Sequence, residues 1–429
     1  MTAASSPRKS KNDDASSSAA LPSVKPAPVR RTARPGSVII PAPLVPPPFT
    51  KESLRRAIPA ICFERNLFLS LGYMFRDIFM LSGLALAAQH IDDAIVPNLA
   101  RPLLWAAYWY AAGCVGTGLW MIGHECGHGA FSDYPMVNYV VGSLSHTFCG
   151  VPYSAWRITH ARHHKHTNSM EDDEPFVPMD FSDVLSHKLF ADSDPLRAFF
   201  IVAHLLFGWP LYLLIDLGGP PKNAKSWRTR DHFTPWSSLF EPSQRLEVAV
   251  GTCLYIGWVY TLAQWAFATS FLRVVAFYGI PLLIVNAHLI TITYLQHTDA
   301  SVPHYRGAEF SWLRGALATV DRSWSRPLDI LFHHISNTHV AHHLFHDMPF
   351  YRTEEATIAL QAVLGDYYLK DDTSISLALW RSFKNCKYVG DEDIAVWNTP
   401  LDLKVRRAAS VTSTTTTTTK STKSIKKSV

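Results

Sequence analysis

The 429-residue sequence predicts an all-α polytopic membrane protein, with four transmembrane helices beneath a cytosolic, histidine-rich cap. Three observations lead there. Charged residues make up 17% of the chain, against roughly 25% in ordinary globular proteins. Long apolar runs without charge alternate with polar ends, so the mean hydropathy of +0.03 averages two unlike materials. Histidine, at 20 residues, is frequent, and much of it clusters beside those apolar runs.

Residues 1–60 are read as a disordered N-terminal region. They are rich in Ser, Ala, Pro and Lys/Arg, with prolines at Pro41, Pro43, Pro46, Pro47 and Pro48. Such a stretch cannot bury enough apolar surface to offset the entropy of ordering it. No apolar core of a secretory signal precedes Leu67. The main domain is placed at 61–400, and 401–429 is read as a disordered tail with threonines at Thr414–Thr419 and a lysine-rich end.

A first span is expected near Asp77–Ile95, flanked by Lys51, Arg55, Arg56, Arg65 and Arg76. The run Leu103–Gly123 holds 21 uncharged residues. That is close to the ~20 needed to cross a hydrocarbon core at ~1.5 Å per residue. The intervening connection carries Asp92, Asp93 and only Arg101, so the positive-inside rule puts the N-terminus in the cytosol. Val248–Ser270 and Val274–Thr293, separated by little more than Arg273, read as a luminal hairpin. Spans must be helical because lipid offers backbone groups no partner. Two further runs, Met136–Trp156 and Ala198–Leu217, carry Asn138, His146 and Pro152, and His204, Pro210 and Asp216, respectively. A short helix is expected over Thr353–Gly365, with Leu360, Val363 and Leu364 on its apolar side.

Some classes are excluded at once. Six cysteines (Cys62, Cys114, Cys126, Cys149, Cys253 and Cys386) show no regular spacing, which argues against a disulfide-stapled scaffold. The net charge of +5 lies mostly in the tails, leaving nucleic-acid binding without support.

The chemistry lies in four places: His124-Glu125-Cys126-Gly127-His128, His160-Ala161-Arg162-His163-His164, Gln296-His297, and His339-Val340-Ala341-His342-His343. On a helix, residues three and four apart share a face, so HxxxH aims two imidazoles at one spot and HxxHH aims three. Imidazole nitrogen is a ligand for Zn, Cu, Fe or Ni. HECGH also matches HExxH, in which two histidines bind zinc and the glutamate is a general base. One tetrahedral zinc leaves the other clusters unexplained, whereas a dinuclear site with mostly nitrogen ligands uses them all. Every cluster must then lie on one membrane side. Two spans precede His124, so 136–156 cannot cross, and 198–217 should be interfacial or re-entrant. The result is four spans, with both termini and the metal site in the cytosol.

At these clusters the sequence resembles the membrane fatty acid desaturases, in particular the acyl-lipid Δ12 (oleate) group. The resemblance is carried by HECGHGAFSDY (124–134), HARHHKHTNSMEDDEPFVP (160–178), PLLIVNAHLITITYLQHT (281–298), WLRGALATVDR (312–322) and THVAHHLF (338–345). It implies a non-haem di-iron centre, four spans under a cytosolic cap, and removal of two hydrogens from an oleoyl chain using O2. It further implies electrons from NADH through a separate cytochrome b5 and its reductase, since no HPGG stretch occurs here. By motif, the ligands would be His124, His128, His160, His163, His164, His339, His342 and His343. His297 would be the ninth, with His304, His333 and His334 as competitors. Asp173 or Glu174 would orient a ligand from the shell outside it.

Glu125, Phe176-Val177-Pro178 and Val340-Ala341 resemble Δ12 rather than ω3 members, while Gly129 departs from the plant Δ12 pattern, which has another His there. An ω3 desaturase, a hydroxylase or an acetylenase remains the alternative outcome, and an intramembrane zinc hydrolase the alternative class. The ending Lys426-Lys427-Ser428-Val429 matches a dilysine endoplasmic-reticulum retrieval signal. Membrane lipid is the expected surrounding, and a homodimer is left open.

Overall fold

The computed structural model describes residues 43–180, 193–219 and 230–398. The threonine run, the lysine ending and most of the N-terminal region lie outside them. The helices are α1 (Lys51–Ala57), α2 (Leu67–Ala88), α3 (Arg101–His128), α4 (Pro135–Phe148), α5 (Tyr153–His166), α6 (Asp194–Ile215), α7 (Arg245–Ala268) and α8 (Phe271–His297). Shorter ones follow: α9 (Trp312–Leu317), α10 (Arg326–Leu331), α11 (His339–Leu344), α12 (Thr353–Leu364) and α13 (Ile375–Asn385). Three pairs of two-residue strands fasten the C-terminal third: β1 (His304–Tyr305) with β5 (Ile394–Ala395), β2 (Asp321–Arg322) with β3 (Lys370–Asp371), and β4 (Tyr388–Val389) with β6 (Trp397–Asn398).

Four long helices run between the same two levels. At one level, α2 ends and α3 begins in an aromatic cluster of Trp105, Tyr108, Trp109 and Phe277. There the Tyr108 hydroxyl and the Trp109 indole N–H donate to the carbonyls of Phe277 and Ala276, at 2.7 and 2.8 Å. From that level α8 rises beside α3, and Thr117 meets His288 at 2.9 Å midway. Helix α7 descends alongside, with Arg157–Glu247 (2.6 Å) near its start and Trp258–Tyr278 (2.9 Å) further along. At the opposite level all four histidine clusters come together.

By length and composition, α2, Asp194–Ile215, Pro242–Ala268 and Phe271–His297 are apolar enough to cross a membrane. Two of the long helices bear on the sequence expectation. Helix α3, expected to span, falls outside this set because Trp, Tyr and Gly dilute its hydropathy. Its second half, from Ala112 to Cys126, is buried inside the protein and does not face lipid. Helix α6, expected to be interfacial or re-entrant, is apolar enough to span, but both of its ends are fastened at the histidine level. Arg197 lies 4.7 Å over Trp380 of α13, and at the other end Asp216 pairs with Arg230, which neighbours Glu174. It therefore runs along the cap rather than away from it.

The first span is also displaced. It is expected near Asp77–Ile95, but α2 starts at Leu67, where the Asn66 side chain accepts the Leu69 N–H at 3.0 Å. Asp77 sits fully buried in mid-helix, 2.7 Å from His333 Nε2 and paired with Arg76. Segment 331–333 can approach because Gly118 presents no side chain there: a Cβ at that position would overlap the Leu331 carbonyl.

The run 136–156 does not cross. It forms a helical hairpin, α4 descending and α5 returning, with the bend at Cys149–Pro152 beside α8. The N-terminal boundary needs correction too. Helix α1 falls within 1–60, yet Leu54 and Ile58 are buried against Leu344, Phe345 and Leu360, and Thr50 closes a capping box with Ser53. The folded unit thus begins before residue 61. Helix α12 matches the expected short helix, with Leu360 and Leu364 buried and Gly365 ending it at φ +54°.

Candidate metal centre

Each histidine cluster ends up where a helix delivers it. His124 and His128 close α3, which Gly129 terminates in the left-handed region at φ +70°. Glycine reaches that conformation at little cost. His160, His163 and His164 lie on the last turns of α5, His297 is the last residue of α8, and His339, His342 and His343 make up half of α11.

The nine imidazoles sort into two pockets. His124, His128, His160, His164 and His342 bring their ring nitrogens within 4.8 Å of one another, and His163, His297 and His343 do the same. His339 joins the second group, with Nε2 3.1 Å from Nε2 of His297. The partition follows helical geometry. Pairs four apart (124/128, 160/164, 339/343) stay together, and the member three along in each HxxHH turns to the other pocket.

Several Nε2–Nε2 separations are short: 3.3 Å for His124–His128, 3.2 Å for His160–His164 and 3.2 Å for His164–His342. Lone pairs facing one another at that distance repel unless a cation or shared proton lies between them. Metal–nitrogen bonds of about 2.0–2.1 Å at tetrahedral to octahedral angles place neighbouring nitrogens roughly 2.8–3.4 Å apart. The donor set therefore fits a pair of metal ions. Burial first, and neighbouring imidazoles second, push His160, His164 and His342 well below the usual imidazole range, and the same holds for His339 and His343. They stay neutral at pH 7, which is the ligating form.

A surrounding layer orients these rings. His163 Nδ1 lies 2.7 Å from Asp173 Oδ1, both buried, which holds the proton on Nδ1 and frees Nε2 for the pocket. The other Asp173 oxygen accepts the Asn168 N–H at 2.6 Å. Thr167 donates to the His163 carbonyl at 2.7 Å and stands 3.2 Å from His343 Nδ1. Of the two acidic candidates, Asp173 reaches a ligand, whereas Glu174 pairs with Arg162 at 2.7 Å. Beneath the first pocket, Trp156 stacks on His160 at 4.4 Å and Trp120 on His146 at 4.7 Å, an aromatic floor that excludes water.

The protease-like reading of HECGH finds no support here. Glu125 Oε2 accepts the Phe350 N–H at 3.0 Å, and Oε1 lies 3.5 Å from Nδ1 of His124, behind a ring whose Nε2 faces the pocket. Nor do the competing histidines reach the cluster: His304 packs on Trp397, His333 pairs with Asp77, and His334 faces Glu354 at 3.5 Å. One neighbour escaped the sequence reading. The ring of His346 lies 4.8 Å from that of His128 and 5.2 Å from that of His164. Its spacing four after His342 was the available signal. A cavity of about 300 Å³ lies behind Phe350, but Arg326, His334 and Glu354 line it, so it suits polar contents rather than an acyl chain.

The fold and site together define a helical protein with membrane-spanning helices, built around a buried cluster of histidines that could hold metal ions. The fatty acid desaturase family model matches residues 103–374, and the chain belongs to that family. Several relatives bear names of the acyl-lipid Δ12 group. A Δ(12)-acyl-lipid-desaturase of Punica granatum is 42% identical, covering 82% of this chain and 89% of the relative. An endoplasmic-reticulum omega-6 fatty acid desaturase of Glycine max is 40% identical over 82% of this chain and 89% of its own. An oleoyl-12-hydroxylase of Ricinus communis is equally similar, at 40% over the same shares. The protein is thus a desaturase-family oxidoreductase.

Proposed function

We propose that the protein is a Δ12 acyl-lipid desaturase that converts oleoyl to linoleoyl chains at a non-haem di-iron centre. The observation that carries the reading is the division of nine imidazoles into a five-membered and a four-membered pocket with 3.1–3.3 Å nitrogen pairs. The Δ12 outcome is supported by the names and identities of the Punica and Glycine relatives.

An unactivated methylene offers no leaving group and no acidic proton, so side chains alone cannot oxidise it. Two irons with O2 supply the oxidising power. In the balanced reaction the chain loses two hydrogens, O2 takes two electrons and two protons from the donor side, and two waters leave. NADH, through cytochrome b5 and its reductase, is the proposed electron source.

The protein's own part is positional. His124, His128, His160, His164 and His342 would hold one iron, and His163, His297, His339 and His343 the other. Asp173 fixes the His163 ring, Thr167 steadies His343, and Trp120 and Trp156 keep water from the apolar side. The acyl chain approaches from the membrane, and its depth of entry selects the methylene. The folded unit and its tails are those of the sequence reading, with the boundary moved back to about residue 43. With both termini in the cytosol, the histidine level faces it too, where a separate electron donor can dock. Endoplasmic-reticulum residence is supported by the Glycine relative's name.

The hydroxylase similarity supplies a second outcome to be tested with the first. Expression in yeast lacking polyunsaturated lipids, followed by fatty acid methyl ester analysis, is expected to yield new 18:2 with its second double bond at carbon 12. Hydroxylated product, or only 18:3 after feeding linoleate, would replace the Δ12 assignment.

A further inference from the structure

The stretch Val320-Asp321-Arg322 belongs to none of the histidine clusters, yet it connects two of them. On one side it holds the end of α8. The Val320 N–H donates to the Gln296 carbonyl at 3.1 Å, and Arg322 Nε to the Leu295 carbonyl at 3.0 Å. An Arg322 Nη donates to Asp299 at 2.6 Å, two residues past His297. On the other side it holds the start of α11, because Asp321 Oδ1 accepts the Val340 N–H at 2.8 Å. The other Asp321 oxygen accepts the Tyr368 hydroxyl at 2.6 Å.

Such groups are costly to bury without purpose. Asp321 is fully buried and Arg322 is 1% exposed. Arg322 also pairs with Asp371, and Arg381 closes the network by reaching Asp371 at 2.5 Å and Asp299 at 3.0 Å. A buried ionic network seldom adds net stability over an apolar replacement, but it fixes geometry well. What it fixes here is the placement of His297 relative to His339, two members of the four-imidazole pocket. The short helix α11 has no side-chain cap of its own, so Asp321 takes that task from a distance. No comparable strap is seen among the described residues for the five-imidazole pocket, whose members sit mainly on the long helices α3 and α5.

We propose that Asp321 and Arg322 are positioning residues that hold His297 and His339 at ligating distance, and so complete the second metal pocket. The proposal rests on the two-iron reading. It gives the segment 312–322 a task the histidine clusters leave unassigned.

The test is iron content and Mössbauer spectra of ⁵⁷Fe-grown wild type, Asp321→Ala and Asp321→Asn, each taken as a monodisperse detergent-solubilised fraction. Wild type should hold two irons per chain. Asp321→Ala should hold one, with the uncoupled spectrum of a single site. Asp321→Asn keeps the shape but only one carbonyl-type acceptor for the Val340 N–H and the Tyr368 hydroxyl. It should retain two irons, with one lost to a ferrous chelator ~10-fold faster than in wild type, in line with the effect of removing a partner that orients a ligand. A merely structural role would affect both irons alike. Two irons with wild-type chelation kinetics in Asp321→Ala, or loss of both from a monodisperse protein, would overturn the strap. If Asp321→Ala yields no monodisperse fraction, equal chelation rates for Asp321→Asn and wild type overturn it instead. Fewer than two irons in wild type would remove the two-iron reading itself.

Discussion

Replacing His163 with alanine is expected to abolish linoleate formation, a loss of more than about 100-fold. His163 is the member of the second cluster that turns away from its neighbours to face His297 and His343. Removing it leaves three imidazoles in the smaller pocket. It also leaves the buried Asp173 carboxylate without the N–H it faces at 2.7 Å. Alanine is small, and the α5 backbone is continuous through this position, so the helix should persist. The measurement is the 18:2 share of lipids in yeast expressing each form, normalised to membrane-protein level by immunoblot. Equal product from both forms would remove His163 from the centre.

The second large effect is expected at Asp173. Asp173→Ala should lower activity by ~10–100-fold, the usual consequence of removing a carboxylate that orients a metal-bound imidazole. It should also destabilise the fold by about 1–3 kcal/mol, because the buried Asn168 N–H loses its acceptor at 2.6 Å. The neighbouring Glu174 provides the control. Its carboxylate pairs with Arg162 rather than with a histidine, so Glu174→Gln should leave iron content unchanged. Iron per chain in the purified variants separates the two. If Glu174→Gln lost iron and Asp173→Ala did not, the assignment of the orienting carboxylate would be reversed.

Much of the site could be read from the sequence because its signal is local. Spacings of three and four residues fix which imidazoles share a helix face, and the structure converges all four clusters on one level. The non-crossing of 136–156 was also legible, since stranding His160 on the far side was the alternative. What escaped depends on partners distant in sequence. Asp77 looks like the charged edge of a span until His333, 256 residues later, is seen to pair with it. The strap at Asp321 and Arg322 reads as an ordinary polar turn without Leu295, Asp299, Val340 and Asp371 in view. Helix α1 has too few apolar residues to announce itself, and only the groove formed by α11 and α12 gives Leu54 a place to be buried. Helix α3 shows the converse: its aromatic and glycine content dilutes hydropathy because much of its surface meets protein rather than lipid.

The central claim is that imidazoles from four separate segments hold two irons in adjoining pockets. Iron per chain in the wild-type protein, purified without chelators and paired with Mössbauer spectroscopy, tests it most directly. The expected result is two irons per chain with the quadrupole signature of an exchange-coupled pair. One zinc per chain, a single uncoupled iron, or no bound metal would contradict it.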